Sequence, residues 1–362
     1  MSTRKSLFGL ALAASMSAAV AASLPTPRAG VTATAAAAQP PAGVQLANGD
    51  EVTIGTWNIK FFYDDETSDN ATQLAKKMSA PSKEKYQERV KLTAAAVAKI
   101  KPTVLGLTEI ENKKVVEDLA AALKTNHQLE YLVGFVQGKD TATEQDVAFL
   151  YDKRFGEQTF LRAEDAGLGD LSNGNLYKVP SKHVGVRIAH VGPNGQQQAL
   201  TMIVCHLKAG GGTGNEAQRV RQSRVLNRWA AKCLAAGEAV IVLGDVNAGR
   251  RFDQTSASDG MGVLRGMETT TLVDDLFDLN DDLAVADRRT HITGKELDRI
   301  VVSPNLLDDV GLAYQSTANF RHLVVRGQSA DDDANKTFYD YALDEADLSD
   351  HYPLVAKFKY LP

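Results

Sequence analysis

Apolar and polar positions alternate along most of this chain in short runs rich in β-branched residues. Such runs span Val52 to Ile59, Val104 to Ile110, Tyr131 to Val136, Val147 to Tyr151, Val184 to Val191, Leu200 to Leu207, Ala239 to Asp245, Leu297 to Val302 and Leu354 to Phe358, and each predicts a strand. Three stretches carry a helical period instead. Tyr86, Val90, Ala94, Val97 and Ile100 fall on one face, Val116, Leu119, Ala120 and Leu123 on a second, and Leu226, Trp229, Ala230, Cys233 and Leu234 on a third. The mixture predicts sheets covered by helices.

The N-terminal fifty residues follow neither pattern. Arg4 and Lys5 precede an alanine-rich apolar run from Leu7 to Ala22 with small residues at Ala19-Val20-Ala21, the make-up of a secretory signal peptide too short to span a bilayer. Residues 1–22 are therefore expected to be a signal peptide, and the protein to be secreted or periplasmic. Residues 23–49 are rich in Pro, Ala, Thr and Gly with no period, a composition that buries too little apolar surface to offset chain entropy, so a flexible linker is expected there. Residues 50–362 are then one folded domain, since neither a second linker nor an internal repeat follows.

Charge narrows the function. Only Arg4, Lys5 and Arg28 of the 40 basic residues, and none of the 45 acidic ones, precede Asp50, which leaves the folded part at a formal −8. An acidic body is unsuited to broad adhesion to nucleic acid, but not to meeting phosphate through a bound cation. The two cysteines, Cys205 and Cys233, exclude a disulfide scaffold and a multi-cysteine zinc site; a bridge between them and two buried thiols are both open.

Polar residues able to do chemistry recur where the predicted strands end. In Gly55-Thr56-Trp57-Asn58-Ile59-Lys60 an amide leaves an apolar strand, followed by a cation that can offset phosphate charge. Glu109 closes the run Leu105 to Thr108, where a carboxylate is costly unless paired or bound to a metal, while Glu111 could simply open the next helix. His206 ends another strand. In Val242-Leu243-Gly244-Asp245-Val246-Asn247 a glycine allows close backbone approach, and two polar side chains two residues apart can point the same way. Near the C-terminus, Asp298 lies in Leu297-Asp298-Arg299-Ile300-Val301-Val302, and Ser349-Asp350-His351-Tyr352-Pro353 follows. An aspartate paired with a later histidine can hold the imidazole in one tautomer.

Two further motifs mislead. Gly212-Thr213-Gly214-Asn215-Glu216-Ala217 mimics a dinucleotide-binding turn, but Leu207 to Gly211 separate it from its strand. The stretch 331–335 resembles a calcium loop, yet Lys336 stands where such a loop needs glycine.

Taken in order, Trp57-Asn58, Glu109, His206-Leu207, Gly244-Asp245-Val246-Asn247, Asp298-Arg299-Ile300 and Ser349-Asp350-His351-Tyr352-Pro353 resemble the endonuclease/exonuclease/phosphatase superfamily, with motifs most similar to secreted deoxyribonuclease I and bacterial extracellular nucleases. The resemblance spans nearly all of residues 52–358. It implies a four-layer α/β sandwich, two mostly antiparallel β-sheets packed face to face with helices outside. It also implies that Asn58, Glu109 and Asp350 surround Mg²⁺ or Mn²⁺, with Ca²⁺ a further candidate, and that Lys60, His206 and Asn247 meet the substrate phosphate. The base that activates water is Asp245 or His351, the latter oriented by Asp298.

The implied activity is that of a secreted nuclease cutting DNA or RNA to 5′-phosphate and 3′-hydroxyl ends, acting as a monomer on nucleic acid without stable membrane association. The alternatives are a sphingomyelinase-like or other phosphoester hydrolase of the same superfamily, and a binding module that lost the chemistry. Two departures bear on substrate. Deoxyribonuclease I has a groove-reaching arginine where this chain has Glu111, and a DNA-packing tyrosine where it has Thr143, Glu144, Gln145 and Asp146. Reversing a charge beside a polyanion weakens duplex binding. Glu144 or Asp146 is expected to orient His206.

Overall fold

The computed structural model describes residues 44–168, 182–192, 195–248, 256–329, 333 and 336–362. The expected signal peptide and most of the expected linker lie outside them, as does nearly all of the acidic stretch 331–335. The described residues belong to one unit, Pro41–Pro362. Ordered pairing starts earlier than the expected boundary at residue 50. Val44–Gln45 form a first strand, β1, and Leu46 is buried behind it.

The remaining strands are β2 (Glu51–Phe62), β3 (Val104–Ile110), β4 (Tyr131–Phe135), β5 (Asp146–Asp152), β6 (Phe160–Arg162), β7 (Val184–Val191), β8 (Gln197–His206), β9 (Ala239–Asp245), β10 (Phe277–Asp278), β11 (Asp298–Val302), β12 (Gly311–Asn319) and β13 (Leu354–Leu361). The helices are α1 (Gln73–Met78), α2 (Lys83–Ile100), α3 (Lys113–His127), α4 (Thr213–Ala235) and α5 (Gly260–Leu264). All nine apolar runs are strands, and the three helical periods are α2, α3 and α4. The strand β12 escaped because its second half alternates around polar residues at a sheet edge.

One sheet runs β1-β7-β8-β9-β11-β10, with β6 beside β7, and the other β12-β13-β2-β3-β5-β4. Both are mixed but mostly antiparallel; the parallel pairs are β1 with β7, β8 with β9, and β2 with β3. Three separate apolar clusters show the layering. In the first, Phe149, Val204, Leu243, Ile300 and Phe358 join the inner faces of both sheets. In the second, Leu105, Leu107 and Leu150 pack under Val90, Val97, Val116 and Leu119 of α2 and α3. In the third, Ile203, Val242 and Val301 pack under Leu226, Trp229 and Leu264 of α4 and α5. Three interfaces between four layers make the expected sandwich.

Cys205 and Cys233 are both free thiols in the third cluster. The helix α4 starts at Thr213 without a side-chain cap, and Gly212 only turns the chain into it.

Candidate active site

Three neighbouring strands set the first half of the site by register. His206 closes β8, Asp245 closes β9 and pairs with it, and Asp298 opens β11 opposite Asp245. Residues paired across strands share a face, so the three side chains stand in a row. Asp298 therefore sits at the beginning of its strand, not its end. The antiparallel sense of β11 brings that beginning to the rim where β8 and β9 finish.

The other sheet supplies the second half through two bulges side by side. Pairing of β2 with β3 breaks between Asn58 and Phe62, and pairing of β3 with β5 breaks between Thr108 and Ile110. Lys60, Phe61 and Glu109 have φ of 45°, 46° and 62°, and Asn247 has 49°. Such conformations cost non-glycine residues about 1–3 kcal/mol each, and they persist only where surrounding bonds hold them. Here the holding bonds are visible. Buried Arg89 of α2 donates to the carbonyls of Ile59, Lys60 and Phe61 at 2.9, 2.5 and 2.8 Å. The freed Phe61 N–H donates to Glu109 Oε2 at 3.1 Å. Asn58 thus lies inside β2, at the point where its ladder opens.

The two halves meet at one amide. Asn58 Nδ2 donates to Glu109 Oε1 at 3.0 Å and to Asp245 Oδ2 at 3.1 Å, while its oxygen accepts from the Lys60 N–H at 2.9 Å. Around Asp245 Oδ2 stand His206 Nε2 at 3.6 Å and His351 Nε2 at 3.7 Å, and Asp245 Oδ1 accepts from the Asn247 N–H at 2.9 Å. His206 Nε2 also faces Glu109 Oε1 at 3.9 Å. On its far side, His351 Nδ1 lies 2.7 Å from Asp298 Oδ2, so that pair is formed as the sequence suggested. Asp350 takes Lys60 Nζ at 2.8 Å and His291 Nε2 at 3.4 Å. Asn247 Nδ2 donates to the Leu207 carbonyl at 3.1 Å. Ser349 Oγ ties the last loop to β2 by donating to the Asn58 carbonyl at 2.7 Å.

Burial and charge act together on these groups. Burial and the nearby charge of Asp350 push the Glu109 carboxyl up. Burial likewise raises Asp245, with Asp298 adding to it. Against the cost of burial, Asp298 and Asp245 hold His351 well above the usual imidazole range. Burial, assisted by the Lys182 charge, holds His206 well below it. His291, His351 and Lys60 overcome burial to keep Asp350 ionised.

Glu109, Asp245 and His206 each offer a ligand atom within one small cluster, and His291, Asp350 and His351 form a second. Buried acids concentrated with so few cations suit a hard divalent ion; the Asn58 amide meets Glu109 and Asp245 through its Nδ2, its oxygen being turned to the Lys60 N–H. The residues present fit the group that the sequence implied.

The predicted site residues stand along one rim, but the predicted metal set is divided: Glu109 and Asn58 belong to the first cluster and Asp350 to the second. Two expectations about neighbouring acids fail. Glu144 accepts from the Ala71 and Thr72 N–H groups at the start of α1, and Asp146 accepts from Gln137 Nε2, so neither orients His206, whose buried Nδ1 has no partner among the described residues. Glu111 neither starts α3, which Asn112 caps, nor faces outward; it is buried and accepts from the Asp64 N–H at 2.8 Å.

Three further participants join the site. Gln145 Nε2 donates to Glu109 Oε2 at 2.6 Å, His291 packs its ring 4.6 Å from that of His351, and Arg89 braces the bulge. Only Arg89 left a signal, a charge beside the apolar face of α2.

The sandwich and the rim cluster define a phosphoester hydrolase. The chain belongs to the Endonuclease/Exonuclease/phosphatase family, whose model matches residues 53–359. Solved structures agree in fold. The endonuclease/exonuclease/phosphatase from Bacteroides vulgatus is 16% identical, with a TM-score of 0.51, covering 86% of this chain and 99% of that one. The human nocturnin catalytic domain with bound sulfate is 15% identical, with a TM-score of 0.51, covering 86% and 94%. No curated protein matches the chain in sequence.

Proposed function

We propose that this chain is an exported, divalent-cation-dependent phosphodiesterase that hydrolyses nucleic acid to 5′-phosphate and 3′-hydroxyl ends. The observation that carries the reading is the meeting of Glu109 and Asp245, from the two sheets, at the Asn58 amide, with His206 and His351 both facing Asp245. Glu109, Asn58 and Asp350 would hold Mg²⁺ or Mn²⁺, which supplies positive charge against the phosphate and the leaving oxygen.

Asp245 is the proton acceptor in this proposal. Its Oδ1 is fixed by the Asn247 N–H, and its Oδ2 faces both imidazoles and the Asn58 amide. His351, anchored through Nδ1 to Asp298, presents Nε2 to the same point and steadies negative charge there. His206, whose Nε2 faces Asp245, and Asn247, whose N–H bonds Asp245, would hold phosphate oxygens, and Lys60, held on Asp350, would add positive charge. Among the described residues no helix is long and apolar enough to cross a membrane.

Purified protein with Mg²⁺ should cleave DNA or RNA oligonucleotides, and chelator should stop it. Asp245→Asn keeps the size of the side chain but gives up one of its two acceptors, to Asn58 or to the Asn247 N–H, and should lower kcat by about 10²–10⁴-fold while the protein still folds. Turnover of phosphomonoesters or phosphocholine lipids alone, with nucleic acid left intact, would overturn the nuclease reading.

A further inference from the structure

Beside the cluster, on the Asp350 side, opens a cleft of about 250 Å³ whose aromatic wall has no part in the catalytic reading. Its inner end is formed by Lys60, Phe61, Ser349 and Asp350. Its wall is aromatic, made of Phe338, Tyr339 and Tyr341, with Arg89 behind and Lys336 at the rim. Phe338 is buried and packs edge-on against Tyr339, with ring centroids 5.2 Å apart. The Arg89 guanidinium lies over both rings at 4.8 and 5.5 Å, and Lys336 Nζ lies 4.9 Å from the Tyr341 ring centre. Tyr341 is fixed by donating to the Ser329 carbonyl at 2.9 Å.

Resting on the nuclease reading, we propose that this cleft is a nucleoside subsite. It would hold one unstacked base and sugar next to the scissile phosphate, making single-stranded nucleic acid or frayed ends the preferred substrate. The chemistry of the walls favours that occupant. Tyr341, held on the Ser329 carbonyl, gives a fixed aromatic wall for a flat, π-faced group, and the cations that lie over the rings, Arg89 and Lys336, suit a nucleotide's negative charge. The cleft shares Lys60 and Asp350 with the catalytic cluster, so a group seated there lies next to the proposed phosphate position. A base paired inside a duplex cannot pack against the wall of such a cleft without leaving its stack, and that costs a few kcal/mol. Glu111, turned inward, offers nothing to a duplex groove, which agrees with a strand-wise mode of binding.

Binding without turnover tests the subsite separately from catalysis. In chelator, the affinity of the full chain is measured for a fluorescently labelled single-stranded hexanucleotide, for the same backbone with abasic sugars, and for the duplex. The intact single strand should bind roughly tenfold or more tighter than the abasic strand and the duplex, as stacking on aromatic side chains gives. Tyr341→Ala should remove the preference over the abasic strand, and Tyr341→Phe should keep it. Equal binding of intact and abasic strands by the unsubstituted protein, or a preference untouched in Tyr341→Ala, overturns the subsite. If the preference is found but no strand is cut when Mg²⁺ is added, the subsite stands and the nuclease reading falls.

Discussion

His183 is fully enclosed beside β7, and neither of its ring nitrogens has a hydrogen-bond partner among the described residues. Burial lowers its pKa from 6.5 to about 4. The folded chain therefore refuses a proton that the unfolded chain accepts between those values. This contribution to stability is complete above the unfolded value and is lost as pH falls from about 6.5 towards 4, by up to about 1.4 kcal/mol per pH unit. Asp146 and Glu111, both pushed up to about 7 by burial, act in the opposite sense, because the folded state takes up their protons first. Urea unfolding of the native protein and of His183→Leu, repeated across pH 4 to 7, separates the two effects. The difference between the proteins should shift against the native one by about 3 kcal/mol on going from neutral to the acid end. A constant difference would show that His183 is protonated in the fold. Residue identity was legible where an apolar run stops on an acid, as at Glu109 and Asp245, because burial makes such a residue conspicuous. Gln145 and His291 carry no such contrast with their neighbours, and only the folded chain brings them to Glu109 and Asp350.

At the scale of elements, the site depends on how closely β9 can lie against β8. Gly244 has a φ of 140°, and a Cβ placed there would stand 1.9 Å from the Cys205 carbonyl oxygen. The obstacle is backbone within a parallel pair, and it cannot move without shifting His206 and Asp245, which follow in register. Gly106 makes a useful contrast. A Cβ there meets Val204 Cγ2 at 2.5 Å and Leu243 Cδ1 at 3.0 Å, both of them side chains between the sheets that can rotate. Gly244→Ala should cost about 3 kcal/mol in chemical unfolding and lower kcat at least tenfold, whereas Gly106→Ala should cost about 1–2 kcal/mol and keep kcat. Equal kcat for the two variants would mean that the strand spacing does not set the site. Periodicity revealed these strands because both faces are covered. The paired bulges in β2 and β3 escaped it, since a bulge changes which way Glu109 points without altering the apolar run around it.

Across the whole molecule, acids brought from distant segments stand close together inside a chain whose formal charge is already −5. The sequence held this arrangement as an ordered series of short motifs; their convergence required both sheets to stack with their bulged rims at one end. Glu109 and Asp245 are raised because each is buried among other carboxylates, so the folded state stores repulsion that a divalent cation would relieve. Such an ion binds the fold and not the unfolded chain, and at a hundred times its dissociation constant it adds about 2.7 kcal/mol of stability. Millimolar Mg²⁺ or Mn²⁺ should therefore raise the melting temperature by several degrees over the chelated protein. Glu109→Gln, which keeps the bonds from Phe61 and Gln145 in shape but removes the charge, should melt near the native chelated value and respond little to the ion. Glu130→Gln, on an exposed acid paired with Lys153, serves as the control and should respond as the native protein does. A melting temperature indifferent to both ions in the native protein would remove the cation from this site, and with it the charge that the proposed hydrolysis requires.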